Sequence, residues 1–302
     1  MAKKVAIVNN KGGSTKTTTA VNLAGALSVR YPDSKILIFE GDAQGNASTS
    51  FKIDSNRVTP SVYDVFMDGM DVKDVVINAF DNIDIAPANA DMNFLEFDEM
   101  DLFKEKNKRQ MFKLMKMMED RGVDISALTY ESFDDLFENL GVIEYSYFDK
   151  INSKINAVDD KYDYIIFDTP PELKSVTSSI LSVSDSVIIP FEPEIYAIDG
   201  IGNILLRIQS IQEDYNPDIK IAGMLATKVK KNTNLHKEVT KGVMSLCEKN
   251  NIKYFDTEIS SSIRYADANA YHGVPSTIAR PKNEFSLLYY NLLDELIEGG
   301  IF

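Results

Sequence analysis

The stretch 4-KVAIVNNKGGSTKTTTA-20 constrains the fold more than any other part of the chain. A short β-rich apolar run, 4-KVAIVN-9, ends in Asn, Lys and two glycines, and from Lys16 to Val29 the spacing of Val21, Leu23, Ala24 and Leu27 turns helical. A buried strand that runs through a glycine turn into a helix gathers exposed amides and a helix amino terminus at one point. That point attracts anions. In 12-GGSTKT-17, Lys16 is placed to reach the β- and γ-phosphates of a nucleotide, and the Thr17 hydroxyl to coordinate Mg²⁺. Thr15 stands where the generic phosphate-loop pattern has its last glycine. A loop of this kind needs only Lys16, so Lys11, five residues earlier, requires its own explanation.

The rest of the chain repeats the strand-helix rhythm. The runs 36-ILIF-39, 83-IDIAPA-88, 164-YIIFD-168, 186-SVIIPF-191 and 220-KIAGMLATK-228 read as strands. Helical segments are expected at 198–214 and 234–250, and a short helix at 61-SVYDVF-66 with Ser61 near its cap. Continuous rather than alternating apolar strands predict an α/β fold of the phosphate-loop type, with a mostly parallel sheet and helices on both faces. A chain of 302 residues suits one large domain, 1–302, interrupted by an inserted, acidic helical region at about 94–155. There 94–122 is rich in Met, Leu, Glu and Lys, and Met111, Met115, Met117 and Met118 fill either a small core or a partner groove.

Two acids extend the phosphate-loop reading. Asp168 ends an apolar strand before 169-TPP-171, a position suited to a carboxylate near Mg²⁺, or simply to a turn cap. Asp42 follows another strand and can orient water toward a γ-phosphate, or shape a turn. Phosphoryl transfer depends on positioning and charge stabilisation more than on a strong base. These residues alone predict an ATPase or a kinase-like transferase using ATP and Mg²⁺.

Taken together, the motifs resemble those of the deviant Walker-type ATPases of the ParA/MinD group, and within it the ParA/Soj partition proteins. The form K-G-G-x-x-K-[ST] is matched by Lys11, Gly12, Gly13, Lys16 and Thr17; the form D-x-D-P-Q-G-N is similar to 40-EGDAQGN-46, with Glu40 for the first Asp and Ala43 for Pro; and D-x-P-P matches 168-DTPP-171. Further likenesses run through 85-IAPANADM-92, 187-VIIPFEPEIYAIDGIGNIL-205, 225-LATKVKKNTNLHKEV-239 and 263-IRYADANAYHGVP-275, leaving only the interval 94–162 without a counterpart. The resemblance implies that Lys11, Gly12, Gly13, Ser14, Thr15, Lys16, Thr17 and Thr18 bind ATP. It implies that Asp168, Asp42 and Thr17 serve the magnesium site, and that Lys11, Lys16 and Asp42 take part in hydrolysis. It also answers the question about Lys11, which in such proteins crosses an ATP-closed dimer to contact phosphate in the opposite subunit.

Partner expectations combine charge with this resemblance. The formal net charge of −14 argues against a surface basic throughout, yet 228-KVKKNTNLHKEVTK-241 carries Lys228, Lys230, Lys231, Lys237 and Lys241 against one Glu. Charge alone leaves a DNA contact and a solvated helix face equally open. The resemblance favours nonspecific DNA bound by an ATP dimer, with Arg264 added to the footprint and a ParB-like centromere-binding adaptor stimulating hydrolysis. A MinD-like spatial regulator with slow hydrolysis and a metabolic phosphotransferase remain as other readings. The carboxy-terminal segment 284–300 is amphipathic with Asp294, Glu295 and Glu298 on its polar face, so packing on the protein is expected rather than membrane binding. A single cysteine, Cys247, excludes an intrachain disulfide, and no run suits a secretory or membrane-spanning segment. A cytoplasmic, nucleoid-associated protein is expected.

Overall fold

The computed structural model describes residues 1–13, 15–120, 149–230, 233–262, 265, 268 and 271–302. Its strands are β1 (Lys3–Ile7), β2 (Ile36–Glu40), β3 (Ile77–Phe80), β4 (Ile83–Ala86), β5 (Tyr164–Asp168), β6 (Ser186–Phe191) and β7 (Lys220–Ala226). They form one sheet in the order β3-β4-β2-β5-β1-β6-β7. All pairings are parallel except β3 with β4. Every residue of β2 and β6 is buried, which explains the apolar runs Ile36–Phe39 and Val187–Phe191 within them.

The helices are α1 (Lys16–Arg30), α2 (Asn46–Ser50), α3 (Val62–Met67), α4 (Val72–Val75), α5 (Leu95–Asp120), α6 (Asp149–Asn156), α7 (Ser175–Val183), α8 (Ala197–Asp214), α9 (Asn234–Asn250), α10 (Ser276–Ala279) and α11 (Glu284–Glu298). On one face, α1 and α11 pack Val21, Leu23, Leu27, Tyr289, Leu292 and Leu296 over β1, β2 and β4. On the other, α7 packs beside β1 and α8 beside β6. Full burial of each Leu, Ile or Val contributes roughly 1.5–3 kcal/mol, so this double-sided core is the main stabilising term. Ser61 caps α3 in a reciprocal capping box with Asp64.

The chain divides into two compact units, residues 1–93 with 148–302, and residues 94–147. The expected insertion at about 94–155 runs beyond the second unit. Its end, α6, belongs to the first unit, where Ile151 and Ile155 are buried and Lys154 Nζ lies 2.9 Å from Asp71 Oδ1. In the second unit α5 is a 26-residue helix. Met115 on it is exposed, so that methionine fills no core. The side chains of Met111, Met117 and Met118, and most of the acidic stretch after α5, lie outside the described parts. The expected packing of the carboxy-terminal helix is found: α11 buries Tyr289, Leu292, Leu293 and Leu296, and Asp294 pairs with Arg30 of α1 at 2.7 Å. Among the described residues no helix is long and apolar enough to cross a membrane.

Candidate functional site

Strand register assembles the site. Asp168 at the end of β5 pairs with Ile7 at the end of β1 and with Glu40 at the end of β2. Three parallel strands therefore release their following loops side by side at the carboxyl edge of the sheet, where α/β proteins bind ligands. Cross-links hold the loops in place. Thr169 Oγ1 donates to Ile7 O at 2.8 Å, Gly41 N donates to Asp168 O at 2.8 Å, and the Asn9 amide donates to Pro190 O. Asn9 Oδ1 also accepts from Lys11 N at 2.7 Å, starting the turn of the phosphate loop.

Within that loop Gly13 and Thr15 have left-handed backbones, φ 72° and 67°. Thr15 thus holds the conformation that glycine adopts freely, at a cost of about 1–2 kcal/mol for a residue with a Cβ. The first intrahelical bond of α1 runs from Thr19 N to Thr15 O at 2.8 Å, so the amides of Lys16, Thr17 and Thr18 precede the hydrogen-bond ladder. Together they line a cavity of about 490 Å³ with Gly12, Gly13 and Asp42. Asn46, Pro171, Tyr265 and Lys228 are among its other wall residues.

The charges around the cavity are unusual for their burial. Lys16 is buried, its Nζ 3.3 Å from Lys11 O, and burial lowers its pKa against the opposing pull of Asp168 and Asp42. Asp168 is fully buried, and burial, with Glu40 and Asp42 nearby, pushes its carboxyl up to about 8. The Thr17 hydroxyl and Lys16 offset part of this, yet neither oxygen of Asp168 has a hydrogen bond of good geometry. A buried carboxylate whose oxygens are this weakly satisfied, beside a phosphate loop, fits a site for Mg²⁺ and its water shell. Among the described residues no three His, Cys, Asp or Glu side chains form a ready metal cage. Magnesium bound together with a polyphosphate needs none.

Asp42 is partly exposed and accepts from Gln44 N at 3.0 Å, a turn that keeps its carboxylate on the cavity wall. Glu40, read from sequence as a departure from the acidic motif, is wholly buried. It accepts from Ala47 N (2.6 Å), Ser48 N (3.2 Å), the Ser48 hydroxyl and Ala88 N (3.2 Å). Burial pushes its carboxyl up to about 7 against those four hydrogen bonds. Glu40 is a brace that sequence reasoning missed, fastening the start of α2 and the loop after β4 behind Asp42.

Lys11 is half-exposed and pairs with Glu194, with Glu192 Oε2 3.9 Å away. Lys237 and Lys241 are exposed one turn apart on α9, and Lys230 is exposed before it. Lys228, another described lysine of the expected DNA cluster, borders the cavity. The chain turns at its left-handed φ of 51°, and its ammonium lies on the cavity wall, 3.2 Å from Glu192 Oε2. Ser14, Lys231 and Arg264 lie outside the described residues. Cys247 is buried on α9.

A parallel sheet that delivers a strand-loop-helix phosphate cradle, a buried lysine, a carboxylate on the cavity wall and a second, buried carboxylate in electrostatic contact with both defines a phosphate-loop nucleotide-binding protein. The family described as an AAA domain matches residues 2–125 and 134–221. The chain belongs to that family, and it is a ParA/Soj-type member of it. It is 29% identical over 301 residues to the sporulation initiation inhibitor protein Soj of Bacillus subtilis, covering 99% of this chain and 100% of that one. It is 26% identical to the chromosome partitioning protein ParA of Caulobacter vibrioides, covering 97% and 93%. Among solved structures, cobyrinic acid a,c-diamide synthase of Mycobacterium smegmatis with a bound ATP analog and magnesium superposes with a TM-score of 0.71 at 20% identity, covering 99% and 95%. At that identity the likeness speaks for the fold alone.

Proposed function

We propose that this chain is an ATP-dependent DNA partition protein. It binds ATP with Mg²⁺, closes as a dimer through Lys11, holds nonspecific DNA in that state, and hydrolyses ATP when a ParB-like centromere-binding adaptor engages it. The observation that carries the reading is the cavity beside the loop that bears Lys11, lined by Lys16, Thr17 and Asp42, with the fully buried Asp168 in electrostatic contact with Lys16 and Asp42. Full-length similarity to Soj and to a chromosome partitioning ParA supports the cellular role.

In this reading the amides of residues 12–18 and the ammonium of Lys16 hold the polyphosphate. Magnesium, when bound, neutralises phosphate charge and orders water; Thr17 and Asp168 are the residues that hold it and its waters. Asp42 orients the attacking water. Lys11 exchanges its Glu194 partner for phosphate in the opposite subunit, which couples assembly to the nucleotide. The protein acts in the cytoplasm on nucleoid DNA.

The test is ATP turnover of the purified protein with DNA and with its cognate centromere-binding protein, each alone and together. Low basal turnover that rises with both is expected, and no turnover in any combination overturns the reading. Lys11→Ala is expected to abolish ATP-dependent dimerisation in sedimentation velocity. A variant that dimerises and hydrolyses normally removes Lys11 from the mechanism. Absence of DNA binding at low salt with ATP and Mg²⁺ removes the DNA role.

A further inference from the structure

The cavity has a cation that the phosphate loop does not supply. Lys228 follows β7, and Glu192 follows β6, just beyond the paired residues Phe191 and Ala226 at the ends of the two strands. The backbone is pinned on both sides of the lysine: Thr227 N donates to Phe191 O at 2.7 Å, and Val229 N donates to Ile259 O at 3.0 Å. Between these clamps Lys228 takes φ 51°, a conformation that is costly for a residue with a Cβ and persists only where the surroundings fix it. The result is specific. Its ammonium is 3.2 Å from Glu192 Oε2 and stands 3.9 Å from where a Cβ on Gly13 would lie. It borders the same cavity as Gly12, Gly13 and Lys16.

From this placement we infer that Lys228 is a nucleotide-binding residue, a cation from the turn after β7 that contacts the terminal phosphates held by the loop. Gly13 presents no side chain between the ammonium and the loop, so a phosphate seated on the amides of Gly13, Thr15 and Lys16 lies within reach of Lys228. A polyphosphate in the cavity competes with Glu192 for this ammonium. Because Glu192 Oε2 also lies 3.9 Å from Lys11 Nζ, one carboxylate serves both lysines that flank the loop. The assignment takes Lys228 out of the DNA footprint, leaving Lys230, Lys237 and Lys241 as its described members.

The inference rests on the proposed function, in that it assumes the cavity takes ATP. Equilibrium binding of ATP, ADP and AMP, each with Mg²⁺, is measured for the wild type, Lys228→Met and Lys228→Arg, with Lys16→Ala as the reference for loss of the loop cation. Charge-assisted contacts to phosphate predict that Lys228→Met weakens ATP by about tenfold or more but AMP by less than about threefold, and that Lys228→Arg stays within about threefold of wild type. AMP binding in the same Met variant reports that the pocket is folded. Unchanged ATP affinity in Lys228→Met, or an equal loss for ATP and AMP, overturns the assignment and leaves the proposed function standing. So does a loss of DNA affinity with ATP affinity unchanged. A wild type that binds no ATP overturns both.

Discussion

Both oxygens of Glu40 are engaged, so its removal is felt through the donors it leaves behind. Glu40→Ala strands the buried amides of Ala47, Ser48 and Ala88 at a cost of about 1–3 kcal/mol each, part of which water recovers by entering the vacated space. A loss of about 3 kcal/mol in urea unfolding is expected. A loss below about 0.5 kcal/mol, the usual range for surface changes, removes the bracing role. Cys247 behaves in the opposite sense, since nothing depends on its charge. Burial first, and then Glu248, raise its thiol to about 11. A raised thiol pKa favours the neutral form below that pH, so at pH 8 only about one thousandth is thiolate, the reactive species. Iodoacetamide at pH 8 is therefore expected to leave Cys247 unmodified in the native protein and to label it in denaturant. Rapid labelling of the native state would show that α9 opens.

At the level of elements, α1 carries the phosphate loop and depends on α10 behind it. Asn22 Oδ1 accepts from the Ser276 hydroxyl at 2.8 Å and from Thr277 N at 3.3 Å, while the Thr277 hydroxyl donates to Asn22 O at 3.0 Å. Gly25 makes room for this contact: a Cβ there would overlap the Thr277 hydroxyl and meet Ile278 Cγ1 at 3.0 Å. Gly25→Ala gains about 1 kcal/mol of helix propensity. Against that stand overpacking of about 1–3 kcal/mol and a disturbed buried hydrogen bond of similar size. Net destabilisation of about 1–5 kcal/mol by thermal unfolding is expected, and a stabilised variant would show that α10 yields freely. The same elements show what a sequence can reveal. Strands covered on both faces leave uninterrupted apolar runs, so β1, β2, β4, β5, β6 and β7 were legible, whereas β3 is four half-exposed residues at an edge. The serine- and β-branched-rich α7, 175-SVTSSILSV-183, has weak intrinsic helix preference and depends on its burial. Strand order carries no local signal. Only the insertion of β5 between β2 and β1 sets Glu40 against Asp168. Lys16, Asp42 and Asp168 could be singled out as candidates because each sits in a short contiguous motif. The left-handed turn at Lys228 and its place beside the cavity had no signal in the lysine-rich run that contains it.

For the whole molecule, a formal charge of −14 per chain means twice that, −28, when two chains meet. Beyond the Debye length of about 8 Å at physiological salt such repulsion is screened, so under the proposed function DNA responds to the local patch rather than to the net charge. The described members of that patch are Lys230, Lys237 and Lys241, all exposed, with Lys237 and Lys241 stacked one turn apart on α9. Under the proposed function a dimer presents the patch twice, and Lys237→Ala with Lys241→Ala removes two cations per chain and four per dimer. Each phosphate contact contributes about 0.9 to the slope of log affinity against log salt, so the slope is expected to become shallower by about 3.6. Weakening should be uniform across DNA sequences, because phosphate contacts carry no base information. Turnover in the absence of DNA should match wild type, since both lysines lie outside the cavity lining. Titration of fluorescent duplex DNA across a salt series, with ATP and Mg²⁺ present, measures the slope directly. An unchanged slope would make this face of α9 a solvated surface and move the DNA contact elsewhere on the dimer.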